Sequence, residues 1–205
     1  MEKKTLKVIL LGDSNVGKTS IIRRYTKNDF SVSTMATVSG GLAVKEIEIS
    51  KTKIELQIWD TAGQERFSSL SRLFFRNCHA CIIVFDLSQP KTFDSVVNWK
   101  KLFVEYGAYD EDKLPPIFLV GNKLDLKKSS KVNEYDMGQV ISKENFYEDK
   151  IRISASKGND VPELFKNVAT HAYHYEKKLN TPDDGERKTL NEKQENDEEK
   201  KSCCS

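Results

Sequence analysis

The sequence has no apolar run that approaches the roughly 18 residues that a membrane-spanning helix requires. Its first residues, 1–5, lead into a short, mostly apolar stretch that ends at Gly12 and is too brief for the core of a secretory signal. Glu2 stands where N-myristoylation requires glycine. We therefore expect the protein to be made and kept in the cytosol.

The sequence also has little net charge and few cysteines. The 33 Lys and Arg residues almost balance the 31 Asp and Glu residues, and a net charge of +2 gives no general case for a nucleic-acid partner. Of the four cysteines, Cys78 and Cys81 form a CxxC pair, but no second pair follows at zinc spacing. Cys81 lies in a continuous apolar run, so we interpret it as a core residue.

The end of the chain lacks the apolar residues that a folded segment needs. From residue 179 to residue 205 the apolar residues are Leu179, Leu190, Cys203 and Cys204. Such a segment cannot bury enough surface to offset the entropy lost on folding. We therefore predict one folded domain over residues 1–178 and a disordered tail over residues 179–205.

The first 178 residues contain alternating strand-like and helix-like segments. Strand-like runs cover residues 6–11, 42–50, 53–59, 81–85, 117–120 and 150–153. Helical spacing covers 19–27, 90–103, 135–144 and 161–178. The second and third runs flank a turn and form a hairpin. This pattern predicts an α/β fold with a mostly parallel six-stranded sheet, one antiparallel edge strand and helices on both faces.

A phosphate-binding pattern joins the first strand to the first helix. Residues 12–19 read GDSNVGKT and fit G-x-x-x-x-G-K-[ST]. Gly12 and Gly17 let the backbone curl so that its N–H groups face phosphate oxygens, at the positive end of the helix. Lys18 supplies a charge to the β- and γ-phosphates, and the Thr19 hydroxyl can ligate Mg²⁺. We predict that the nucleotide is contacted by Asp13, Ser14, Asn15, Val16, Gly17, Lys18, Thr19 and Ser20.

A second motif selects the base. The segment after the fifth strand reads Asn122-Lys123-Leu124-Asp125 and fits N-K-x-D. A carboxylate such as that of Asp125 accepts two hydrogens at once, and guanine offers such a pair on N1 and on its exocyclic amine. Adenine presents one donor and one acceptor there, so it would leave the carboxylate incompletely paired. We therefore predict a guanine nucleotide bound by Asn122, Lys123 and Asp125.

A third motif supplies the groups for hydrolysis. The second hairpin strand ends in WDTAGQE, residues 59–65. Asp60 is placed to hold Mg²⁺ through a water, and Gly63 can donate its N–H to the γ-phosphate. Gln64 can orient the attacking water, so we predict that it is the catalytic residue.

These three motifs resemble the Ras superfamily and, more narrowly, the Rab family. The segments that carry the resemblance are GDSNVGKT, WDTAGQERF, FFR at 74–76, VFDLSQPKTFDSV, GNKLDL and SAS at 154–156. The resemblance covers about residues 5–178 and resumes at the terminal cysteines, and it favours the late-endosomal and lysosomal branch. It implies a P-loop NTPase G domain that binds and hydrolyses GTP as a switch in vesicle trafficking.

The resemblance also implies roles for residues outside the three motifs. Phe30 would pack against the guanine, and Thr37 would close over Mg²⁺ and the γ-phosphate. The loop that supports the base would consist of Ser154, Ala155 and Ser156. The apolar patch that effectors read would consist of Leu42, Trp59 and Phe74. Plain core packing is the competing interpretation of that patch, above all for Trp59.

Two departures from the Rab pattern affect these expectations. After Thr37 the family has an aliphatic residue, Gly, a variable residue, Asp and Phe, whereas residues 38–42 here read VSGGL. Paired glycines raise the entropic cost of ordering this loop, so we expect a less populated GTP-state conformation and a changed effector choice. Ser156 stands where the family has lysine, so the role of that lysine is not carried over.

The chain ends in Cys203-Cys204-Ser205, which resembles the double-cysteine ending that Rab proteins use for geranylgeranylation. One lipid chain gives only marginal membrane binding, and stable anchoring needs a second signal, which the second cysteine would supply. We therefore expect the protein on the cytoplasmic face of endosomal, lysosomal or other vesicle membranes, cycling with the cytosol.

We expect a monomeric, slow GTPase whose partners are effectors, an exchange factor, a GTPase-activating protein, a GDP-dissociation inhibitor and a prenylation escort. One alternative is a non-cycling, nucleotide-bound scaffold at a membrane, which the altered loop at 39–41 would suit. An ATP-using P-loop enzyme is disfavoured by the N-K-x-D motif. A nuclear transport GTPase would have no reason to end in paired cysteines.

Overall fold

A computed structural model of the chain describes residues 4–30, 40–61, 72–129, 131–147, 151–158 and 160–181. Its strands are β1 (Lys4–Leu11), β2 (Gly41–Ile49), β3 (Thr52–Asp60), β4 (Ala80–Asp86), β5 (Ile117–Asn122) and β6 (Ile151–Arg152). Its α-helices are α1 (Lys18–Lys27), α2 (Arg72–Phe75), α3 (Pro90–Asp94), α4 (Val96–Gly107), α5 (Glu134–Lys143) and α6 (Val161–Asn180). Short 3₁₀ helices cover Glu111–Lys113 and Leu124–Ser129. Within these described ranges, no helix combines the length and the apolar character needed to cross a membrane.

The strands form one six-stranded sheet in the order β2-β3-β1-β4-β5-β6. The β2–β3 hairpin is antiparallel, and every other neighbouring pair is parallel. The sequence prediction of a mostly parallel sheet with one antiparallel edge strand is therefore confirmed. Because the parallel strands share one direction, their carboxyl ends meet at one edge of the sheet.

Helices cover both faces of the sheet, as predicted. On one face, α1 and α6 pack against apolar residues of β1, β3 and β4, with Phe165 and Ile21 fully buried. On the other face, α4 and α5 complete a second core around Phe85, Phe103 and Trp99. Each helix presents its apolar stripe to the sheet, and the β4 and β5 strands are buried along their whole length because both of their faces are covered. The buried position of Cys81 in this second core agrees with its interpretation as a core residue.

Two elements differ from the sequence prediction. The single helix expected from Pro90 is interrupted at Ser95 and continues as α4. The Ser95 hydroxyl donates to the Lys91 carbonyl at 3.2 Å, and such bonds from serine back to the preceding turn bend helices. The short helix α2 has too few residues to give a helical repeat in the sequence, and it was not predicted.

Candidate nucleotide site

The loop between β1 and α1 has the backbone shape that the phosphate-binding motif predicts. Gly12 and Gly17 have φ angles of 138° and 99°, and Asn15 has a φ of 64°. A side chain at position 12 would collide with the Val84 carbonyl, and one at position 17 would collide with the side-chain amide of Asn122. The two glycines are therefore required both by their conformation and by the closeness of β4 and β5.

Lys18 is buried at the centre of this loop, with only 5% of its surface exposed. Its ammonium donates to the carbonyl oxygens of Gly12 and Asp13 at 2.7 and 3.0 Å. A buried ammonium needs such hydrogen-bond acceptors, and these two carbonyls hold it in place. The loop therefore presents a fixed positive charge suited to an anionic ligand.

An indole fixes the same loop from the side. The Trp99 Nε1–H of α4 donates to the Asp13 carboxylate at 2.8 Å, and Trp99 is almost completely buried. This contact joins positions 86 residues apart in the chain. The sequence predicts that Trp99 lies in a helix but not that it contacts Asp13, because no local pattern indicates a contact between residues so far apart in the chain.

The residues predicted to hold the metal meet at the ends of α1 and β3. The Thr19 hydroxyl donates to Asp60 Oδ2 at 2.6 Å. Asp60 Oδ1 is buried and has no hydrogen-bond partner among the described residues. Burial raises the pKa of Asp60, while the Thr19 hydroxyl and the Lys18 charge act to lower it. A hydroxyl and a carboxylate oxygen with unused acceptor capacity are ligands of the kind Mg²⁺ prefers, so these residues fit that ion.

Asn122 connects the phosphate loop to the base loop, which we define as residues 154–156. Its side-chain N–H donates to the Val16 carbonyl at 2.9 Å. Its side-chain oxygen accepts from the Ala155 N–H at 3.1 Å. Both bonds are buried, so one side chain at the end of β5 holds two segments that lie more than a hundred residues apart.

The base loop also supports Asp125. The Ser154 hydroxyl donates to Asp125 Oδ1 at 2.6 Å, and the Ser154 and Ser156 hydroxyl oxygens lie 3.0 Å apart. Burial acts to raise the pKa of Asp125, but hydrogen bonds from the two serine hydroxyls outweigh it and hold the pKa below the ordinary value. The carboxylate therefore stays ionised.

Lys123 and Arg24 complete this end of the site. The Lys123 ammonium lies 2.7 Å from the Asp86 carboxylate at the end of β4. Arg24, near the end of α1, donates to the backbone carbonyls of Ala155 and Ser156. Sequence analysis did not identify Arg24 because its partners are about 130 residues away and are backbone atoms. Only its helical position could be read from the sequence.

The predicted apolar patch lies beside the site on the β2–β3 hairpin. Leu42 pairs in register with Trp59, and half of the Leu42 surface is exposed. The rings of Trp59 and Phe74 have centroids 5.3 Å apart. The three side chains therefore adjoin one another, with Trp59 and Phe74 partly buried against the second core.

Five predicted functional residues lie outside the described residues: Thr37, Gly63, Gln64, Cys203 and Cys204. All other predicted site residues are described. Those of the phosphate loop, Asp60, Asn122 to Asp125 and the base loop are brought together at the carboxyl edge of the sheet, as the strand order predicts.

Comparison with known proteins agrees with this geometry. Residues 7–174 match the Ras family. "Ras-related protein Rab-7b" of Paramecium octaurelia is 37% identical over 179 residues, which cover 86% of this chain and 85% of the relative. "Ypt/Rab-type GTPase ypt7" of Pyricularia oryzae is 35% identical over 83% of both chains. "Ras-related protein RABG1" of Arabidopsis thaliana is 46% identical over 62% of both chains.

The chain belongs to the Ras family of small GTPases and, within it, to the Rab type. It is a guanine-nucleotide-binding switch of vesicle trafficking and a small GTP-hydrolysing enzyme. The predictions of family, fold and activity are therefore confirmed, and none of these relatives supports a non-cycling scaffold.

Proposed function

We propose that the phosphates of GTP and GDP are bound by residues 13–20 and that the loop amides and Lys18 supply the positive charge. Among the described residues, Thr19 and Asp60 are proposed to hold Mg²⁺. Thr37 is proposed to join them in the GTP state. Bound there, Mg²⁺ would neutralise charge that develops on the phosphate oxygens. The burial of the Lys18 ammonium within the loop and the unused Asp60 oxygen support this assignment.

We infer that the base is read by Asp125, supported by Ser154 and Ser156. An ionised Asp125 can accept the N1 and amine hydrogens of guanine together. The Ala155 N–H is proposed to reach the guanine oxygen, which requires that it be shared with the Asn122 side chain. Lys123 and Phe30 are proposed to flank the faces of the ring. The lowered pKa of Asp125 supports its role as an acceptor.

Hydrolysis is proposed to depend on Gln64, which would orient the attacking water, and on the Gly63 N–H, which would contact the γ-phosphate. In the described part of the chain, Arg24 contacts the base loop and not the phosphate loop, so we expect turnover to be slow without an activating protein. Loss of the γ-phosphate would release the loops that contain Thr37 and Gln64, and effectors would then dissociate.

We further propose that effectors bind the patch formed by Leu42, Trp59 and Phe74. An exchange factor, a GTPase-activating protein, a GDP-dissociation inhibitor and a prenylation escort are the proposed regulators of a monomer. Residues 1–178 were predicted as the GTPase domain, but α6 extends two residues past that boundary, to Asn180. We therefore propose that the disordered tail begins after α6 and that its Cys203 and Cys204 carry lipid. The relatives named for Rab7 and ypt7 support placement on endosomal or lysosomal membranes, with cycling through the cytosol.

The single observation that carries the proposal is the bridge made by Asn122. One amide side chain holds both the loop that suits phosphates and the loop that supports a guanine-reading carboxylate. A ligand that fits this bridge must carry phosphates at one end and a base at the other.

A single-turnover assay tests the proposal. The full chain is loaded with GTP and Mg²⁺, and the bound nucleotide is followed by chromatography beside Gln64→Leu and the control Lys27→Ala, an exposed position on α1. We expect slow conversion to GDP in the wild type and the control, and none in Gln64→Leu. Equal rates in all three proteins would contradict the role of Gln64.

A further inference from the structure

Arg24 ties the end of α1 to the base loop. Its Nε donates to the Ala155 carbonyl at 3.0 Å, and its Nη2 donates to the Ser156 carbonyl at 2.8 Å. Its Nη1 donates to the carbonyl of Asn28, the residue that caps α1, at 3.1 Å. All three guanidinium nitrogens are therefore used, and each donates to a backbone oxygen, while Nη1 also donates to the Asn28 side-chain oxygen at 3.4 Å.

Gly158, two residues beyond the base loop, leaves space for the Arg24 side chain. Gly158 has a φ of 84°, and a Cβ at that position would lie 2.7 Å from Arg24 Cδ and 2.9 Å from Nε. A larger residue at position 158 would therefore displace Arg24 as well as strain the backbone. The Arg24 side chain and the segment that contains Ser156 and Gly158 therefore have complementary shapes, although they lie more than 130 residues apart in the chain.

Arg24 also lies close to the aromatic ring of Phe30. Its guanidinium carbon lies 5.8 Å from the centre of the Phe30 ring, within the range of a cation–π contact. Phe30 lies three residues after the end of α1, and we have proposed that it packs on the guanine. One side chain thus contacts the base loop on one side and the ring of Phe30 on the other.

We propose that Arg24 is a positioning residue that holds the base loop and Phe30 in the arrangement that retains guanine nucleotide. The bonds to the two carbonyls fix successive peptide planes of the base loop and hence the direction of its amides. The inference rests on the proposed function, because it takes residues 154–156 and Phe30 as contacts of the base.

The fork geometry of arginine is needed for this role. A guanidinium is planar and donates along several fixed directions at once, whereas lysine offers a single point charge. Lysine at position 24 lacks this planar set of donors, so we expect it to hold the two peptide planes less firmly.

The test measures release of a fluorescent GDP from the full chain in Mg²⁺. For Arg24→Ala we expect release about tenfold faster than wild type, since two hydrogen bonds from a charged donor are lost. For Arg24→Lys we expect an intermediate rate. The matched control is Arg23→Ala, which removes the neighbouring arginine and its 2.7 Å contact with Asp29, and we expect it to leave release unchanged.

A second measurement separates positioning from general loss of stability. Chelation of Mg²⁺ loosens the phosphate end, and we expect it to accelerate release by the same factor in wild type and in both Arg24 variants, because the two ends act independently. Release from Arg24→Ala no faster than from Arg23→Ala would overturn the inference. The inference would also be overturned if Arg24→Ala and Arg24→Lys released GDP at the same rate and both lowered the thermal midpoint of the nucleotide-free chain equally, because the effect would then be a general loss of stability. A wild type that retains no GDP would instead overturn the proposed function.

Discussion

The phosphate end of the site is one contiguous loop of the chain, whereas the base end is assembled from three segments that are far apart in sequence. In the phosphate loop the backbone amides supply most of the proposed phosphate contacts. Close packing against β4 and β5 leaves no room for side chains at Gly12 and Gly17. At the base end, hydrogen bonds made by the side chains of Arg24, Asn122 and Ser154 fix the geometry.

The two ends also differ in burial and in the state of their charged groups. Lys18 and Asp60 are buried, and burial raises the pKa of Asp60. Asp125 is exposed, and serine hydroxyls hold its pKa low. We infer that the phosphate end supplies most of the affinity, because buried charges interact strongly, and that the base end supplies selectivity and retention. The predictions below test this division of roles, from the largest expected effect to the smallest.

The largest effect is expected at the phosphate end. Lys18→Ala removes the buried ammonium that faces the proposed phosphates, and we expect the Kd for GDP to rise about a hundredfold or more. The measurement is equilibrium titration with fluorescent GDP. Lys27→Ala, on the exposed end of the same helix, is the control and should bind as wild type does. A rise in the Kd of less than about fivefold would contradict this division of roles, because most of the affinity for GDP would then not depend on Lys18.

Asp125→Asn tests selectivity at the base end. The amide keeps the shape of the side chain but offers one donor and one acceptor, so we expect guanine affinity to fall about a hundredfold. Xanthine presents a carbonyl where guanine has its amine, and we expect xanthosine diphosphate to bind the variant better than GDP. The measurement is competition against fluorescent GDP. Unchanged preference would exclude Asp125 as the residue that reads the base.

Trp99→Phe tests the support of the phosphate loop. The variant keeps most of the buried ring but loses the hydrogen bond to Asp13, and we expect GDP to leave about five times faster. Asp13→Asn keeps an acceptor oxygen for the indole and serves as the control, with a smaller expected change. If both variants release GDP at the wild-type rate, the contact is structural and does not support binding.

The smallest effect is expected from acid. The Asp125 carboxylate is ionised above its pKa, which lies below the ordinary value of 3.8. Because the pKa is lowered, acidification from about pH 7 to about pH 5 leaves the group charged, and we expect the ratio of GDP to ADP affinities to stay constant over that range. Ser154→Ala removes one of the hydrogen bonds that lower the pKa, so its ratio should begin to fall at a higher pH than in the wild type. A wild-type ratio that collapses by pH 5 would contradict this account of Asp125.

The same contrast explains how much could be predicted from the sequence. The phosphate loop is a local pattern, so Gly12, Lys18 and Thr19 were identified by spacing alone, and Asp125 was identified because the chemistry of guanine requires such a group. The alternation of strands and helices predicted the mostly parallel sheet and the helices on both of its faces.

Contacts between distant segments could not be predicted. Arg24, and the bond from Trp99 to Asp13, depend on which segments the folded chain brings together, and nothing in the local sequence distinguishes Arg24 from Arg23. The break at Ser95 was missed for a different reason, since the apolar spacing continues across it. In each case the missing information is the three-dimensional position of a partner.

The most direct test of the account is to identify and count the nucleotide that the purified full chain carries. The protein is denatured, and the released nucleotide is separated by chromatography and compared with the protein concentration. A site with a phosphate end and a guanine-reading base end predicts close to one guanine nucleotide per chain, and about none in Lys18→Ala. Adenine nucleotide, or none in the wild type, would contradict the central claim.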